Sequence, residues 1–170
     1  MDNFFLTDAE IQSLIKEPKQ LGVSLDALLR KMNTKKTNPS YLQVNYSFPR
    51  NTNAGEWYIF IRQSKDDPFN FSCGMCLIPE NRNQHFRLMR YNGKNHEHTN
   101  HLENQSPFYD FHIHRATERY QKTAYKAEDH YAEPTDRYAS LKEAVRCLLY
   151  DCMVKTTEPD ERQVDLLDEY

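Results

Sequence analysis

The stretch FNFSCGMCL, residues 69–77, indicates a β-sheet in the fold, because apolar side chains recur at every second position along it. The recurring positions are Phe69, Phe71, Cys73, Met75 and Leu77. A period of two residues is the signature of a β-strand that turns one face to a core and the other away from it. The stretch therefore predicts a sheet strand, and the chain on both sides of it must supply the partners.

Strand patterns recur on both sides of this stretch, and helix patterns lie beyond them. Four further stretches predict strands: residues 41–48, 57–61, 85–91 and 108–116. Capping boxes, at Thr7 and Glu10 and again at Ser140 and Glu143, predict that a helix begins near each end of the chain. Strands in sequence between helices indicate an α+β fold. We predict a mostly antiparallel five-stranded sheet with the N- and C-terminal helices packed on one face.

Length and charge predict one domain followed by a tail. The chain has 170 residues, which suits a single domain with a core of ordinary size. Residues 156–170 hold six acids against Arg162, a net charge of −5, and the whole chain carries −3, so residues 1–155 carry +2. We predict a single α+β domain over residues 1–155 and an acidic, flexible tail over residues 156–170, where a protein partner could bind.

Composition excludes several classes of protein. Aromatic residues make up 12% of the chain, which is too many for a disordered protein. The longest apolar run, Trp57 to Ile61, is five residues long and cannot span a membrane. No basic segment followed by an apolar one opens the chain, as a secretion signal would require. We expect a soluble cytoplasmic protein with no membrane partner.

The four cysteines predict free thiols rather than a metal site. Cys73 and Cys76 form a CxxC pair, but Cys147 and Cys152 follow about 70 residues later with a wider gap, unlike a zinc ribbon. On a strand, the odd spacing of the first pair points the two side chains to opposite faces. We predict buried free thiols, which are typical of a reducing compartment.

The seven histidines cluster around the last two predicted strands. In the last of these strands, His112 and His114 alternate with Phe111 and Ile113. If the two apolar residues face the core, both imidazoles lie side by side on the open face of the sheet, partly accessible to solvent. Pairing with the preceding strand would add Arg87 to the same polar surface. The sequence therefore predicts a functional site on the open sheet face.

This surface predicts phosphate chemistry or phosphate binding, with RNA or a nucleotide as the partner. His112 and His114 are the candidate general base and general acid, because imidazole titrates near neutral pH. Arg87 is the candidate for holding phosphoryl charge. Five further residues are candidates for substrate binding: Arg115, Arg119, Lys94, Tyr91 and Asp110. Metal-independent RNA cleavage of the toxin type needs only these residue types.

Alternatives to phosphate chemistry stay open. One alternative is a metal-binding protein that uses the HxH motifs, because HxH on a strand, as at His112 and His114, is a familiar pair of metal ligands. His96, His98 and His101 are further candidate metal ligands, and His96, His98 and Glu103 fit the spacing of the first cupin motif, although its framing glycines and proline are absent. A non-catalytic interaction or defence-accessory protein would instead bind a protein partner through the open sheet face, as the net negative charge favours. The histidines could also be ordinary residues of a solvated face. We predict no cofactor.

Four stretches of the chain resemble an uncharacterised bacterial family, domain of unknown function 6978. The stretches are LTDAEIQSLIKEPK (6–19), RYNG (90–93), HEHTN (96–100) and FHIHRATERY (111–120). The resemblance covers nearly the whole chain apart from the acidic tail, and it implies a bacterial, cytoplasmic setting without implying a reaction. More remotely, a basic turn followed by HxH is similar to small RNA-cleaving toxins of toxin–antitoxin modules, whose aromatic-Pro-His-His block is absent here.

Overall fold

The structure is a computed structural model that describes residues 4–49, 52, 54–80, 84–123 and 128–157. From residue 158 onward, the predicted acidic tail lies outside the described residues. The described part contains four helices: α1 (Asp8–Lys16), α2 (Leu25–Arg30), α3 (Glu118–Gln121) and α4 (Leu141–Asp151). It contains nine strands: β1 (Lys19–Gln20), β2 (Asn33–Lys35), β3 (Asn38–Ser47), β4 (Gly55–Ser64), β5 (Phe71–Pro79), β6 (Phe86–Asn92), β7 (His112–Arg115), β8 (Ala132–Pro134) and β9 (Val154–Lys155).

Helices α1 and α4 begin where the sequence predicts. Thr7 Oγ1 accepts a hydrogen bond from the Glu10 backbone N–H, and the Glu10 carboxylate accepts one from the Thr7 backbone N–H at 2.8 Å. This reciprocal pair satisfies two N–H groups that a helix start would otherwise leave without partners. Ser140 caps α4 by accepting from the Glu143 backbone N–H. Among the described residues, no helix has the length and apolar character needed to cross a membrane.

The main sheet has seven strands in the order β2-β3-β4-β5-β6-β7-β8, and every neighbouring pair is antiparallel. The α+β class is confirmed, but the predicted count of five strands is wrong. The two missed strands, β2 and β8, have three residues each and lie at the edges. Three residues are too few to display an alternating pattern. β1 and β9 form a separate two-stranded parallel sheet.

The core lies between one face of this sheet and the helices α1, α2 and α4. Trp57 and Ile59 of β4 and Met75 of β5 are buried on that face. Ile11 of α1 and Leu148 of α4 belong to the same buried cluster. Burying an aliphatic or aromatic side chain contributes about 1.5–3 kcal/mol, so this layer supplies the main driving force for folding. The opposite sheet face carries the polar residues of the same strands and is the face on which a site can be built.

A candidate site on the polar sheet face

Strand pairing at β6 and β7 gathers polar side chains on the face that turns away from the helices. His112 pairs with Asn92, and His114 pairs with Arg90. Directly opposed residues in an antiparallel pair project to the same face. Ile113, between the two histidines, packs against the core instead. The two histidines and Arg90 therefore share one surface of the sheet.

This surface is closed over the histidines, so the predicted solvent accessibility of His112 and His114 is wrong. Their exposed fractions are 0% and 2%. The connection between β6 and β7 folds back over them. Within it, two backbone hydrogen bonds of 2.8 and 3.0 Å join His98 to Phe108. The rings of His98 and Phe108 lie 5.3 and 5.6 Å from the His112 ring, centroid to centroid. Because this connection is mostly polar, its sequence has no regular spacing of apolar residues from which its packing over the histidines could be predicted.

Hydrogen bonds fix the protonation of both strand histidines. His112 Nδ1 lies 2.7 Å from the backbone oxygen of Asp110, and His114 Nδ1 lies 2.9 Å from that of Asp129. A carbonyl oxygen can only accept, so each Nδ1 carries a proton and donates it. Each neutral ring then keeps its lone pair on Nε2. Both Nε2 atoms lie 3.3 Å from Asn92 Nδ2, on which the two lone pairs converge.

The orientation of His98 is fixed through Asn100. The Asn100 amide pairs with the backbone of Ala132: its Oδ1 accepts from the N–H at 2.9 Å, and its Nδ2 donates to the carbonyl at 2.7 Å. This pairing identifies the amide oxygen without ambiguity. His98 Nε2 lies 3.0 Å from that oxygen and must donate to it. The lone pair of the neutral His98 ring is therefore on Nδ1.

Burial holds the clustered imidazoles in the neutral form. Desolvation is the main cause that lowers the pKa of His112, to about 4, and it also lowers the pKa of His98. Desolvation, followed by the nearby Arg90 guanidinium, holds the pKa of His114 well below its ordinary value. A general acid and base for neutral pH need pKa values near 7 and access to substrate. These two properties are missing at His112 and His114, which counts against the predicted catalytic pair.

A buried carboxylate connects the histidines to the arginines beside them. Asp129 is 0% exposed, and its Oδ2 accepts from Arg90 Nε at 2.8 Å. Arg87 Nε lies 3.7 Å from Asp129 Oδ1, which is an ion pair without a well-formed hydrogen bond. Arg90 Nη2 also lies 3.2 Å from His114 Nδ1. Since the Nδ1 proton is directed at the nearer carbonyl, this second contact acts mainly as a cation beside the ring.

Beyond the histidines, the same sheet face stays open and forms a basic groove with a volume of about 260 Å³. We call it the basic groove and define it by the cations Lys35, Arg62, Arg87 and Arg90, which line it with Tyr58 and Phe60. No acidic side chain lines it among the residues that the structure describes. The Phe60 ring lies against the backbone of Gly74, where an added Cβ would come within 2.5 Å of the ring. Only glycine fits there, because any larger residue would displace the ring from the groove floor.

No protein-family model, curated protein or solved structure matches this chain. The resemblance to domain of unknown function 6978 thus stays a prediction. The side chains that the fold brings together, and their chemistry, indicate what the protein does.

Two of the predicted substrate-binding residues lie away from the site. Tyr91 is 0% exposed on the core face of β6, where its hydroxyl donates to the Asp151 carboxylate. Arg115 lies near Lys16 of α1, in a depression on the helical side of the sheet. Arg115 has the parity of the core-facing Ile113, and a β-bulge between Arg87 and Met89 shifts the alternation of β6 so that Tyr91 faces the core as well. Neither residue can contact a ligand held beside His112 or in the basic groove.

The other three predicted substrate-binding residues have local partners. Arg119 pairs with the Glu103 carboxylate and lies 4.9 Å from the Tyr131 ring. The Lys94 ammonium lies over the Phe69 and Phe111 rings at 4.8 and 5.2 Å. Asp110 is exposed, and its backbone oxygen, rather than its carboxylate, contacts His112. The contacts of Arg119 and Lys94 explain these two side chains structurally, whereas the contact of Asp110 involves only its backbone.

The predicted metal trio does not assemble as a unit. Of His96, His98 and His101, only His98 joins the buried group with the strand histidines. His96 is exposed, although its ring lies 5.3 Å from that of His112. His101 is exposed and stacks on His130 at 5.1 Å. The fold of this connection thus buries His98 and leaves His96 and His101 exposed, although the three histidines are close in sequence.

Sequence reasoning missed the residues that organise the site. Asn92 precedes Gly93, a pair that is typical of turns, and nothing local distinguishes it from an ordinary turn residue. Asn100 and Asp129 act only through partners that are distant in sequence. Arg62 was detectable, because continuing the alternation of β4 past Ile61 places it on the polar face with Phe60. The alternation of residues along a strand can therefore identify residues of the groove. Asn92, Asn100 and Asp129 can be identified only from the tertiary structure.

Proposed function

We propose that the protein binds a phosphate-bearing ligand, RNA or a nucleotide, in the basic groove of its polar sheet face. The observation that carries the proposal is the charge of the groove. It gathers the four cations Lys35, Arg62, Arg87 and Arg90, and no acidic side chain lines it among the described residues. Phosphate contacts supply most of the affinity of RNA-binding proteins and demand such a surface.

The groove cations differ in how far they are free to bind phosphate. Within the described part of the chain, neither Lys35 nor Arg62 forms an ion pair. Arg87 and Arg90 share the buried Asp129, yet their side chains stay 32% and 21% exposed. Planar guanidinium groups bind phosphate in a two-pronged geometry, which favours arginines at such a site. Asp129 would then position the two arginines while Lys35 and Arg62 add charge.

Aromatic rings between the cations favour a ligand with bases. Tyr58 and Phe60 project from β4 into the groove and are half-buried. Unpaired bases stack on such rings, with a contribution of about 1–3 kcal/mol per base. The volume of about 260 Å³ suits one phosphate with part of its nucleoside rather than a large enclosed cofactor. A longer RNA strand would extend across the open strands on either side.

The proposed activity is binding without acid–base cleavage by His112 and His114. Both imidazoles are buried, and desolvation holds both pKa values below the range that suits proton transfer at neutral pH. Arg87 keeps the phosphate-holding role that the sequence suggests, because it lines the groove. The proposal thus retains the predicted ligand class and relocates its site.

Fluorescence anisotropy with labelled single-stranded RNA of about 12 nucleotides tests the proposal. We expect binding at low salt that weakens from about 50 to 300 mM salt, because each phosphate contact contributes about −0.7 to the slope of log K against log salt. Lys35→Ala with Arg62→Ala removes two cations from the groove. The slope should become shallower by about 1.4 in this double variant.

A matched control removes the same charge from the other side of the molecule. Lys16 and Lys155 are exposed and flank the depression on the helical side. Lys16→Ala with Lys155→Ala should leave the salt slope unchanged. Equal losses in the two double variants would mean that binding is diffuse, and no binding at low salt would overturn the proposal in favour of a protein-interaction role. Competition by mononucleotides distinguishes a nucleotide site from one that requires an RNA strand.

A further inference from the structure

Three buried imidazoles from two parts of the chain converge at one point. His112 and His114 come from β7, and His98 comes from the connection that covers it. Each offers a ring nitrogen, and these nitrogens lie within 4.8 Å of one another. A polar cluster of this kind is unusual in a protein interior, because a buried polar group needs a partner. The convergence of three ring nitrogens requires an explanation beyond the basic groove.

The hydrogen bonds of the cluster leave a lone pair on each ring. His112 and His114 each donate Nδ1–H to a backbone carbonyl, at 2.7 and 2.9 Å, and keep the lone pair on Nε2. His98 donates Nε2–H to the Asn100 amide oxygen at 3.0 Å and keeps its lone pair on Nδ1. Metal-binding histidines have this arrangement: one ring nitrogen donates to a carbonyl or carboxylate, which orients the other nitrogen toward the ion.

From this geometry we propose that His98, His112 and His114 form a binding site for a divalent transition-metal ion, with zinc as the best-fitting member of the class. Imidazole nitrogen suits zinc, cobalt, nickel and copper, whereas magnesium and calcium need oxygen ligands. No carboxylate or thiolate joins the group among the described residues. The ligand set differs from the one the sequence suggests, since it exchanges His96 and His101 for the strand pair. It is also independent of ligand binding in the basic groove.

Asn92 is in a position to complete the coordination. Its Nδ2 lies 3.3 Å from both Nε2 lone pairs, and its Oδ1 accepts from Ser72 Oγ at 2.8 Å. A metal bound to the two Nε2 atoms would displace this NH₂ group. Rotating the amide by half a turn presents Oδ1 to the ion and lets Nδ2 donate to the Ser72 hydroxyl, which can accept as well as donate. The site would then be four-coordinate and closed, as structural zinc sites are.

Closing the site around zinc requires a modest movement. Zn–N bonds of about 2.0–2.1 Å in a tetrahedral site put ligand nitrogens about 3.4 Å apart. The nitrogens within 4.8 Å therefore need to approach by at most about 1.4 Å. The movement falls to the connection that carries His98, because His112 and His114 belong to a strand of the sheet. Metal binding would thus fasten this connection to β7.

Metal titration of the full chain tests the proposal directly. After treatment with a chelator and dialysis, the protein is titrated with Zn²⁺ against a chromophoric competitor and, separately, with Co²⁺. We expect one Zn²⁺ per chain, visible Co²⁺ absorption of tetrahedral intensity, and a thermal midpoint raised by about 5 °C or more. Absence of Zn²⁺ binding, or Co²⁺ absorption of octahedral intensity, would overturn the proposal.

Matched substitutions on the covering connection identify the ligand. His98→Gln removes a proposed ligand, and His101→Gln makes the same change at an exposed histidine outside the group. We expect His98→Gln to weaken Zn²⁺ binding by about 100-fold or more, beyond the 10–100-fold typical of residues that only orient ligands. His101→Gln should bind Zn²⁺ as the unaltered chain does. Equal affinities in the two variants would place the metal elsewhere and refute the assignment.

A second variant keeps the test informative even if His98→Gln unfolds. Asn92→Asp has the same shape and turns a carboxylate toward the two Nε2 lone pairs of His112 and His114. With a metal site, we expect Zn²⁺ to bind at least about tenfold more tightly and to restore any stability that the variant loses in chelator. If the cluster is only a hydrogen-bonded network, the variant loses stability and Zn²⁺ restores none of it. That outcome would also overturn the proposal.

Discussion

The two ends of the polar sheet face have the same origin and opposite environments. At one end, Arg62 of β4 and Arg87 of β6 line an open groove. At the other end, His112 and His114 project from β7 to the same side of the sheet and are 0% and 2% exposed. The register of the sheet assigns all four side chains to this face, and a bulge in β6 lets Arg87 share it. Whether a connection folds over that part of the face decides which of them contact solvent.

The contrast shows that the position of a residue in a strand determines the face to which its side chain points, but does not determine whether that side chain is buried. Over β7, the Asn100 amide pairs with the backbone of Ala132, 32 residues away, and holds the connection down. Over β4, the described part of the chain supplies no such cover, and the groove stays open. Polar residues under a cover must satisfy one another, which is why the closed end carries directed hydrogen bonds. The open end can leave its cations to a ligand.

The largest expected effect comes from emptying the closed end. His112→Ala with His114→Ala should lower the free energy of unfolding by about 4 kcal/mol or more, because it creates a cavity and leaves buried partners without hydrogen bonds. Urea unfolding in the presence of a chelator measures the change. His85→Ala with His101→Ala, at exposed positions, should cost about 1 kcal/mol or less. A similarly small cost for His112 and His114 would show that the closed end is open in solution.

Removing the carboxylate that links the two ends should have the next largest effect. Asp129→Asn leaves Arg87 and Arg90 without their shared anion, while the backbone carbonyl that accepts from His114 remains. We expect a loss of about 2–3 kcal/mol, below the full value for a buried pair because both arginines are partly exposed. Asp26→Asn is the control, since Asp26 pairs with Lys142 and both side chains are well exposed. It should change stability by about 0.5 kcal/mol or less.

Acid should weaken the closed end in a defined range of pH. In the folded protein the pKa of His112 is lowered to about 4, whereas an unfolded histidine titrates at about 6.5. Between these values the unfolded chain binds a proton that the folded chain excludes, so stability falls as pH falls through this range. With a chelator present, the step from about pH 7.5 to 5 should cost about 2 kcal/mol from His112 alone. A flat profile would contradict the burial of His112.

The sequence predicts the outline of the fold better than it predicts the site. The alternation around Phe71 identified β5 and its core face, the apolar run from Trp57 to Ile61 identified β4 as a strand, and the capping box at Thr7 identified the start of α1, because all three signals are local. The three-residue edge strands were missed because they are shorter than the period needed to recognise them. The burial of His112 was missed because it depends on contacts between residues far apart in the chain. Local patterns predict elements and faces, and tertiary contacts decide the chemistry of the site.

The smallest expected effect on stability comes from the open end, and its sign is informative. Lys35 and Arg62 lie in a groove with two other cations and form no ion pair within the described part of the chain. Lys35→Ala with Arg62→Ala should therefore leave the free energy of unfolding unchanged or raise it by a few tenths of a kcal/mol, about the size of a surface charge interaction. Because exposed charges are screened, any gain at low salt should disappear by about 0.5 M salt. A loss above about 1 kcal/mol would mean that these two cations stabilise the sheet. The contrast between the hydrogen-bonded histidines of the closed end and Lys35 and Arg62 of the open end, which have no ion-pair partner among the described residues, would then fail.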